Sequence, residues 1–579
     1  MTSENDVRRP ESMAVEGVEQ DRQLILDAKK RGTWAKIGAY TKLSGPGWLQ
    51  SAITLGSGSL AGSLYLGVLG GFSLLWLQPL AMVLGVIMLS AIGYVVLSTG
   101  EKPFHSINRH VSYILGWSWA LATMMANLVW SLPQFSVGAA ALRQNLIPGL
   151  IGEDAMGSIP GRMLACAFIL IICVIVVWFY DSGRKGIRIF EYILKAMVGL
   201  VIICFFGVVI RMTLTGALPW GTILASYIPN PAMLFRPSYE LMPLISQVAT
   251  EYQDYWRDLI VFEQRDVMIT VTATAVGINM TFLLPYSMLR KGWDKDFRGL
   301  AIFDLATGLF IPFILATSCV VIASATQFHG QPSAGLLGEV DEAGNLIEPA
   351  PGAVQKFERI AAQRVRYELG DDAFEALSDE ERAEHIAALP EADKRMAAVL
   401  VDRDAFDLAS SLAPLTGDVF AQYIFGIGVV AMAISSVIIL MLINGFVICE
   451  IFGLPQGGWP HRIGSLMPAV GALAPFIWTG GRAQMWLAVP TSVFGMALIP
   501  IAYCTFFLLM NQRELLGDRM PTGTRRVRWN VLMGIAIVLT GIGSIYAVHS
   551  RLGLVGVGII VLLVAAILIE RQVRGLNKI

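Results

Sequence analysis

Apolar runs of about 20 residues, the length a helix needs to cross a bilayer, recur along the whole chain. They lie near 46–69, 72–98, 112–141, 163–181, 187–211, 267–289, 299–325, 416–450, 463–479, 485–510, 530–549 and 552–570. The pattern predicts an all-α polytopic membrane protein with about 12 transmembrane helices. Two runs are interrupted near their middles, the first by Gly56-Ser57-Gly58-Ser59 and the sixth by Gly277-Ile278-Asn279-Met280-Thr281 with Pro285 beyond. Unwound backbone at membrane depth survives only where it lines a cavity, and broken helices in matching positions of two halves mark the solute site of secondary transporters. The pattern therefore predicts transport of a solute between the two breaks.

Loop charge sets the orientation, because Lys and Arg accumulate on the cytoplasmic side. Lys29, Lys30, Arg31 and Lys36 precede the first span, Arg184, Lys185 and Arg188 the fifth, Arg290, Lys291, Lys295 and Arg298 the seventh, and Arg513, Arg519, Arg525, Arg526 and Arg528 the eleventh. The opposite short loops hold little beyond Arg143, Arg162, Arg482 and Arg551, so both termini are expected in the cytoplasm and the protein in the cell membrane. Residues 1–44 carry charges throughout and no apolar signal core, which argues against a cleaved secretory peptide.

Composition narrows the class. Hydrophobic residues make up 55% and charged residues 15%, against roughly 25% charged in ordinary globular chains, and mean hydropathy is +0.60. A net charge of -1 offers no basic excess for nucleic acid. The 6 cysteines sit in apolar runs without metal-ligand spacing. On the outer side, 212–266 is rich in Pro, Tyr and Trp and is expected to form an interfacial segment, whose acids Glu240, Glu251, Asp254 and Asp258 either face solvent or pre-concentrate cations. The polar stretch 329–413 is expected to form a small helical subdomain, with a capping box at Ser378 and Glu381. Neither stretch carries a catalytic or metal-binding constellation, so neither an enzyme nor a cofactor is expected.

Ionisable groups inside the predicted spans reduce to Glu191, Lys195, Asp304 and Glu450, and such groups are functional candidates by default. Glu191 and Lys195 have the spacing of a helical pair at the cytoplasmic edge. Asp304 either lines an inner vestibule or pairs with a basic loop residue. Glu450 ends the eighth span as a structural anchor. The chemistry must then come mostly from uncharged groups. A break at Gly56, Ser57, Gly58 and Ser59 offers carbonyls from one half-helix and N–H groups from the other, unless these are small residues for close packing. In the partner segment Gly277 opens the break, Asn279 offers an amide oxygen, Thr281 a hydroxyl, and Met280 a thioether that would otherwise only fill the core.

Gly45-Pro46-Gly47, Arg188-Ile189-Phe190-Glu191, the stretch from Ala431 to Glu450 with Ser435-Ser436, and Ala497-Leu498-Ile499-Pro500 together resemble the Nramp family of divalent-metal transporters. The resemblance runs over about 44–550 outside the acidic insertion. It implies a LeuT-type inverted repeat, with solute held between broken first and sixth helices. On that plan the chain divides into an N-terminal tail (1–44), a first five-helix repeat (45–211), an outer connection (212–266), a second repeat (267–510) interrupted by the insertion (329–413), and two further helices with a C-terminal tail (511–579).

The sequence departs from the family at the site. Where metal-transporting members carry Asp-Pro-Gly-Asn, this chain has Gly56, Ser57, Gly58 and Ser59, and the sixth-helix metal-binding Met falls near Met280 or Thr281. The third-helix acids of the proton pathway fall at Asn127 and Trp130. A carboxylate-free site repays a stripped divalent cation poorly but suits one that keeps some of its waters. Three readings stay open: a divalent metal cation as cargo, an amino acid or other small carboxylate-bearing solute held at the half-helix N-terminus, and a non-transporting sensor. The sequence leaves the oligomeric state undefined.

Overall fold

The computed structural model describes residues 10–180, 182–340, 344–349, 351–417, 420–478 and 485–575. Among these, the only extended pairing is an isolated bridge between Val340 and Leu346. Eight helices are long and apolar enough to span a bilayer, and the bent pair Pro46–Thr54 and Ser57–Gly70 makes a ninth. Tyr113–Ala141 has the length of a span but carries Asn127, Ser131 and Gln134 on its buried side. The helix Gly523–Val573 is 51 residues long and folds back at Gly553, whose φ of 58° glycine alone adopts readily. Its two limbs are the runs expected at 530–549 and 552–570. The run at 463–479 is instead a chain of short pieces, Gly458–Leu466, Met467–Leu473 and Ala474–Ile477. Residues 1–9 of the N-terminal tail, 479–484 with the loop residue Arg482, and 576–579 lie outside the described residues.

The sixth span begins well before the expected residue 267. Its first half is Gln253–Ala275 and its second Ile278–Arg290. Gln264 and Asp266 lie inside that first half, 0% and 2% exposed, and they lower its apparent hydropathy because their partners are protein groups rather than water. The Gln264 side chain accepts from the Ser238 N–H (3.1 Å) and donates to the Met233 and Arg236 carbonyls. What remains of the outer connection is a string of short turns, Trp220–Ala225, Pro231–Leu234, Tyr239–Leu241 and Met242–Ile245. It is tied down by His329, whose ring meets the Val68 carbonyl (2.8 Å), the Ser238 hydroxyl (3.1 Å) and, at 3.5 Å, the Glu240 carboxylate. The hydrogen bond from His329 holds the Glu240 carboxyl below its ordinary range.

The insertion folds into helices Pro351–Leu369, Asp371–Ala376, Asp379–Ala387 and Glu391–Val399, and the third of these opens with the full Ser378–Glu381 capping box. It docks on the outer end of the sixth helix through one buried cluster. Arg364 Nε lies 2.9 Å from Asp393, Trp256 Nε1 donates to the same carboxylate oxygen at 2.8 Å, and the guanidinium lies 3.3 Å above the Tyr252 ring. In the core, Tyr113–Ala141 packs along Phe425–Ile451, while Ser57–Gly70 packs against both Gln253–Ala275 and Ile311–Phe328. Both breaks are thereby held at one level inside the bundle.

Candidate functional site

Pro46 fixes the start of the first helix, which runs to Thr54; Gly56 is extended, and the second half sets off from Ser57 at 55° to the first. The backbone groups freed by this break are taken up by neighbouring side chains, as membrane burial requires. The Ser57 N–H donates to Gln134 Oε1 (2.9 Å), Ser435 and Ser436 donate to the Ala52 carbonyl (3.1 and 3.2 Å), and the Ser59 hydroxyl donates to the Thr54 carbonyl. At the sixth break Val276 is extended, and the Thr54 hydroxyl reaches both the Ala275 carbonyl (3.3 Å) and Met280 Sδ (3.2 Å). Trp130 lies against Gly277 on one side and Gly495 on the other, where any side chain would overlap the indole. Its Nε1 donates to the Thr491 carbonyl (3.0 Å).

Between the two breaks lies a cavity of about 30 Å³, room for about two water-sized occupants, such as a small ion and one retained water. Of the residues singled out in the sequence, Gly56, Gly58, Ser59, Gly277, Asn279, Met280 and Trp130 line it. Ser57 and Thr281 do not. Ser57 is engaged through its backbone, and Thr281 is turned into the bundle, where its hydroxyl accepts from Trp119 Nε1 (2.9 Å). Asn127 stands behind the lining in a chain of amides: Asn279 Nδ2 donates to Asn127 Oδ1 (3.0 Å), and Asn127 Nδ2 donates to Asn444 Oδ1 (2.7 Å). The far atoms of this chain, Asn279 Oδ1 and Asn444 Nδ2, are buried without a hydrogen-bond partner.

The inner end of the first helix is built from the charged residues. Asp304 is 1% exposed, and its carboxylate accepts from the Ser44 hydroxyl and from the N–H groups of Gly45 (3.2 Å) and Gly47 (2.7 Å). These bonds cap the half-helix Pro46–Thr54 from across the bundle. Glu191 pairs with Lys291 (2.9 Å) rather than Lys195, because Lys195 Nζ is drawn to the Ser44 carbonyl (2.6 Å). Glu450 pairs with Lys102 (2.7 Å), as befits an anchor.

Sequence reasoning missed Gln134, Thr54, Thr274, Ser436 and Thr491 in the lining, and Asn444 behind it. The signal that could have found them is an amide inside an otherwise apolar run, as at Gln134 and Asn444. Among the described residues no group of three or more His, Cys, Asp or Glu side chains is placed to hold a metal ion.

The family model described as natural resistance-associated macrophage protein-like, Nramp, matches residues 47–357 and 392–547. The chain belongs to the Nramp family. The stretch this match passes over, 358–391, lies within the insertion. Metal transporter Nramp6.2 of Populus trichocarpa is 27% identical over 181 residues, a segment that covers 31% of this chain and 30% of that relative. Crystal structures of the Eremococcus coleocola manganese transporter superpose with a TM-score of 0.60 at 13% identity, covering 93% of this chain and 96% of theirs. The same transporter in complex with an aromatic bis-isothiourea substituted compound gives a TM-score of 0.59 at 14% identity. The LeuT-type arrangement with broken first and sixth helices therefore holds for this Nramp chain.

Proposed function

We propose that this protein is a secondary transporter that carries a divalent metal cation, still partly hydrated, through the cavity between the two breaks by alternating access. One observation carries the reading: within an Nramp frame, the two breaks meet at a cavity of about 30 Å³ lined by neutral donors, with Asn279 Oδ1 buried and unpartnered beside it. An amide oxygen, a thioether and hydroxyls offset the loss of a full hydration shell poorly, so the ion keeps waters, as Mg2+ does at most of its sites. A carboxylate-bearing solute is less well served. The N–H of Ser57, first in the second half-helix, is already committed to Gln134.

Both termini are assigned to the cytoplasm. Support comes from the basic loops and from the contacts of each end. Arg22 of the N-terminal helix meets Asp294 (2.6 Å) in the basic loop before the seventh span. Glu570 near the C-terminus accepts from the Tyr113 N–H (2.7 Å) at the start of the third.

The test is uptake of Mn2+ and Mg2+ into proteoliposomes by the wild type and by Gly58→Leu. A side chain at Gly58 would begin 2.8 Å from Thr274 Cγ2 and fill the cavity, so uptake should cease while the protein stays monodisperse. Binding without flux in the wild type would support a sensor, and undiminished flux in Gly58→Leu would remove the breaks from the mechanism.

A further inference from the structure

A second cavity, of about 230 Å³, lies on the insertion side of the bundle between the outer half of the sixth helix, the helix Pro351–Leu369, Trp486 and Arg551. Glu263 and Asp266 line it together, three residues apart and hence on one helical face. Asp266 is 2% exposed. Its Oδ2 meets Arg551 at 2.6 Å, whereas Oδ1 is buried with no hydrogen-bond partner. A buried carboxylate oxygen left without a donor is costly, and it marks a place where something further binds.

We propose that Glu263 and Asp266 form a second cation site, in which the guanidinium of Arg551 is a tethered occupant that an incoming divalent cation displaces. The other charges are consistent with this. Lys356, which also lines the cavity, meets Asp402 (3.2 Å), lies over the Trp486 ring at 4.6 Å and is near enough to act on Glu263. Arg551 is half-exposed and sits two residues before the reversal at Gly553, so its side chain can swing into water without disturbing a packed core. The cavity has room for several waters, which suits a hard cation bound by two carboxylates with part of its hydration retained. Arg359, in the stretch outside the family match, also lines the cavity and opposes cation entry, giving the insertion control over occupancy. The site would collect cations at the insertion-side mouth ahead of the central cavity.

The choice of probe rests on the metal reading above; the site does not. Mn2+ is titrated calorimetrically into the purified full-length protein. Arg551→Gln should tighten binding about fivefold, the upper range for losing one partly exposed ion pair. Asp266→Asn should abolish that binding, and Gly58→Leu should leave it intact. Mn2+ affinity unchanged in Arg551→Gln, or binding that disappears in Gly58→Leu, would overturn the proposal. Should Asp266→Asn fail to fold, Glu263→Gln at a half-buried position decides: weaker binding supports the site and unchanged binding refutes it. Uptake without Arg551-sensitive binding sinks this site and leaves the transport reading standing; binding without uptake does the reverse.

Discussion

Asp304 ties the start of the first helix to the seventh, and removing its carboxylate should measurably loosen the protein. The carboxylate accepts three hydrogen bonds, from the Ser44 hydroxyl and the N–H groups of Gly45 and Gly47. Bonds to a charged acceptor contribute about 1.5–3 kcal/mol each, a gross loss of roughly 4–9 kcal/mol on truncation. Against this, truncation relieves the desolvation of a buried charge, worth several kcal/mol. The net effect of Asp304→Ala is then about 2–5 kcal/mol of destabilisation. Asp304→Asn keeps one acceptor oxygen but turns an NH2 group toward the remaining donors, so it should lose roughly the strength of one such bond, about 1.5–3 kcal/mol. A chain of this length shifts by about 0.8 °C per kcal/mol, so the apparent melting midpoint of Asp304→Ala should fall by roughly 2–4 °C, with Asp304→Asn between it and the wild type. The assay is thermal unfolding in one detergent at one scan rate, since the unfolding of such proteins is often rate-controlled. An Asp304→Ala midpoint within about 1 °C of the wild type would refute the cap as an energetic feature.

Other consequences follow from the same geometry. Gly56→Asp, combined with Ser436→Ala to clear the hydroxyl its Cβ would meet, puts a carboxylate into the cavity and should tighten Mn2+ binding at least tenfold, whereas Ser57→Asp, which does not face the cavity, should leave it unchanged; calorimetric titration separates the two. Arg364→Ala strands Asp393, 0% exposed, as a buried unpaired charge and should cost about 3–5 kcal/mol, seen as faster proteolysis of the insertion with the membrane bundle intact. Uptake into proteoliposomes should proceed without acidifying the lumen, because the amide of Asn127 and the indole of Trp130 exchange no protons near neutral pH. A pH-sensitive dye recording a luminal drop in proportion to flux would show a proton route elsewhere.

The bundle was legible because its signals are long and redundant. Runs of 20 apolar residues survive a few polar positions, and the glycines of the first break stand out in an otherwise apolar stretch. The sixth helix was misread at its outer end for the opposite reason. Glu263, Gln264 and Asp266 break the apolar run and so fall within the expected outer connection 212–266, whereas Gln264 directs its amide to three backbone groups of that connection and Asp266 meets Arg551 from a helix far along the chain. Hydropathy cannot see partners contributed by distant segments. Asp304 shows the same limit, since a cap supplied across 257 residues leaves no local spacing to read. At the site the breaks and Asn279 were found from sequence, but Gln134 and Ser436 were not: a neutral side chain that satisfies a freed backbone group looks like any other polar residue in a span.

Three linked amides give the site a definite character. Asn279, Asn127 and Asn444 form a relay of fixed dipoles, each donating to the next, and its orientation leaves an oxygen, Asn279 Oδ1, as the free end beside the cavity. Reversing the chain would present an NH2 group there instead, and the Asn444 end holds no partner that would favour either sense. A cation in the cavity would stabilise the oxygen-out sense, whereas an anion would favour the reverse. The relay presents fixed dipoles without carrying charge of its own, through groups that no pH in the physiological range can titrate.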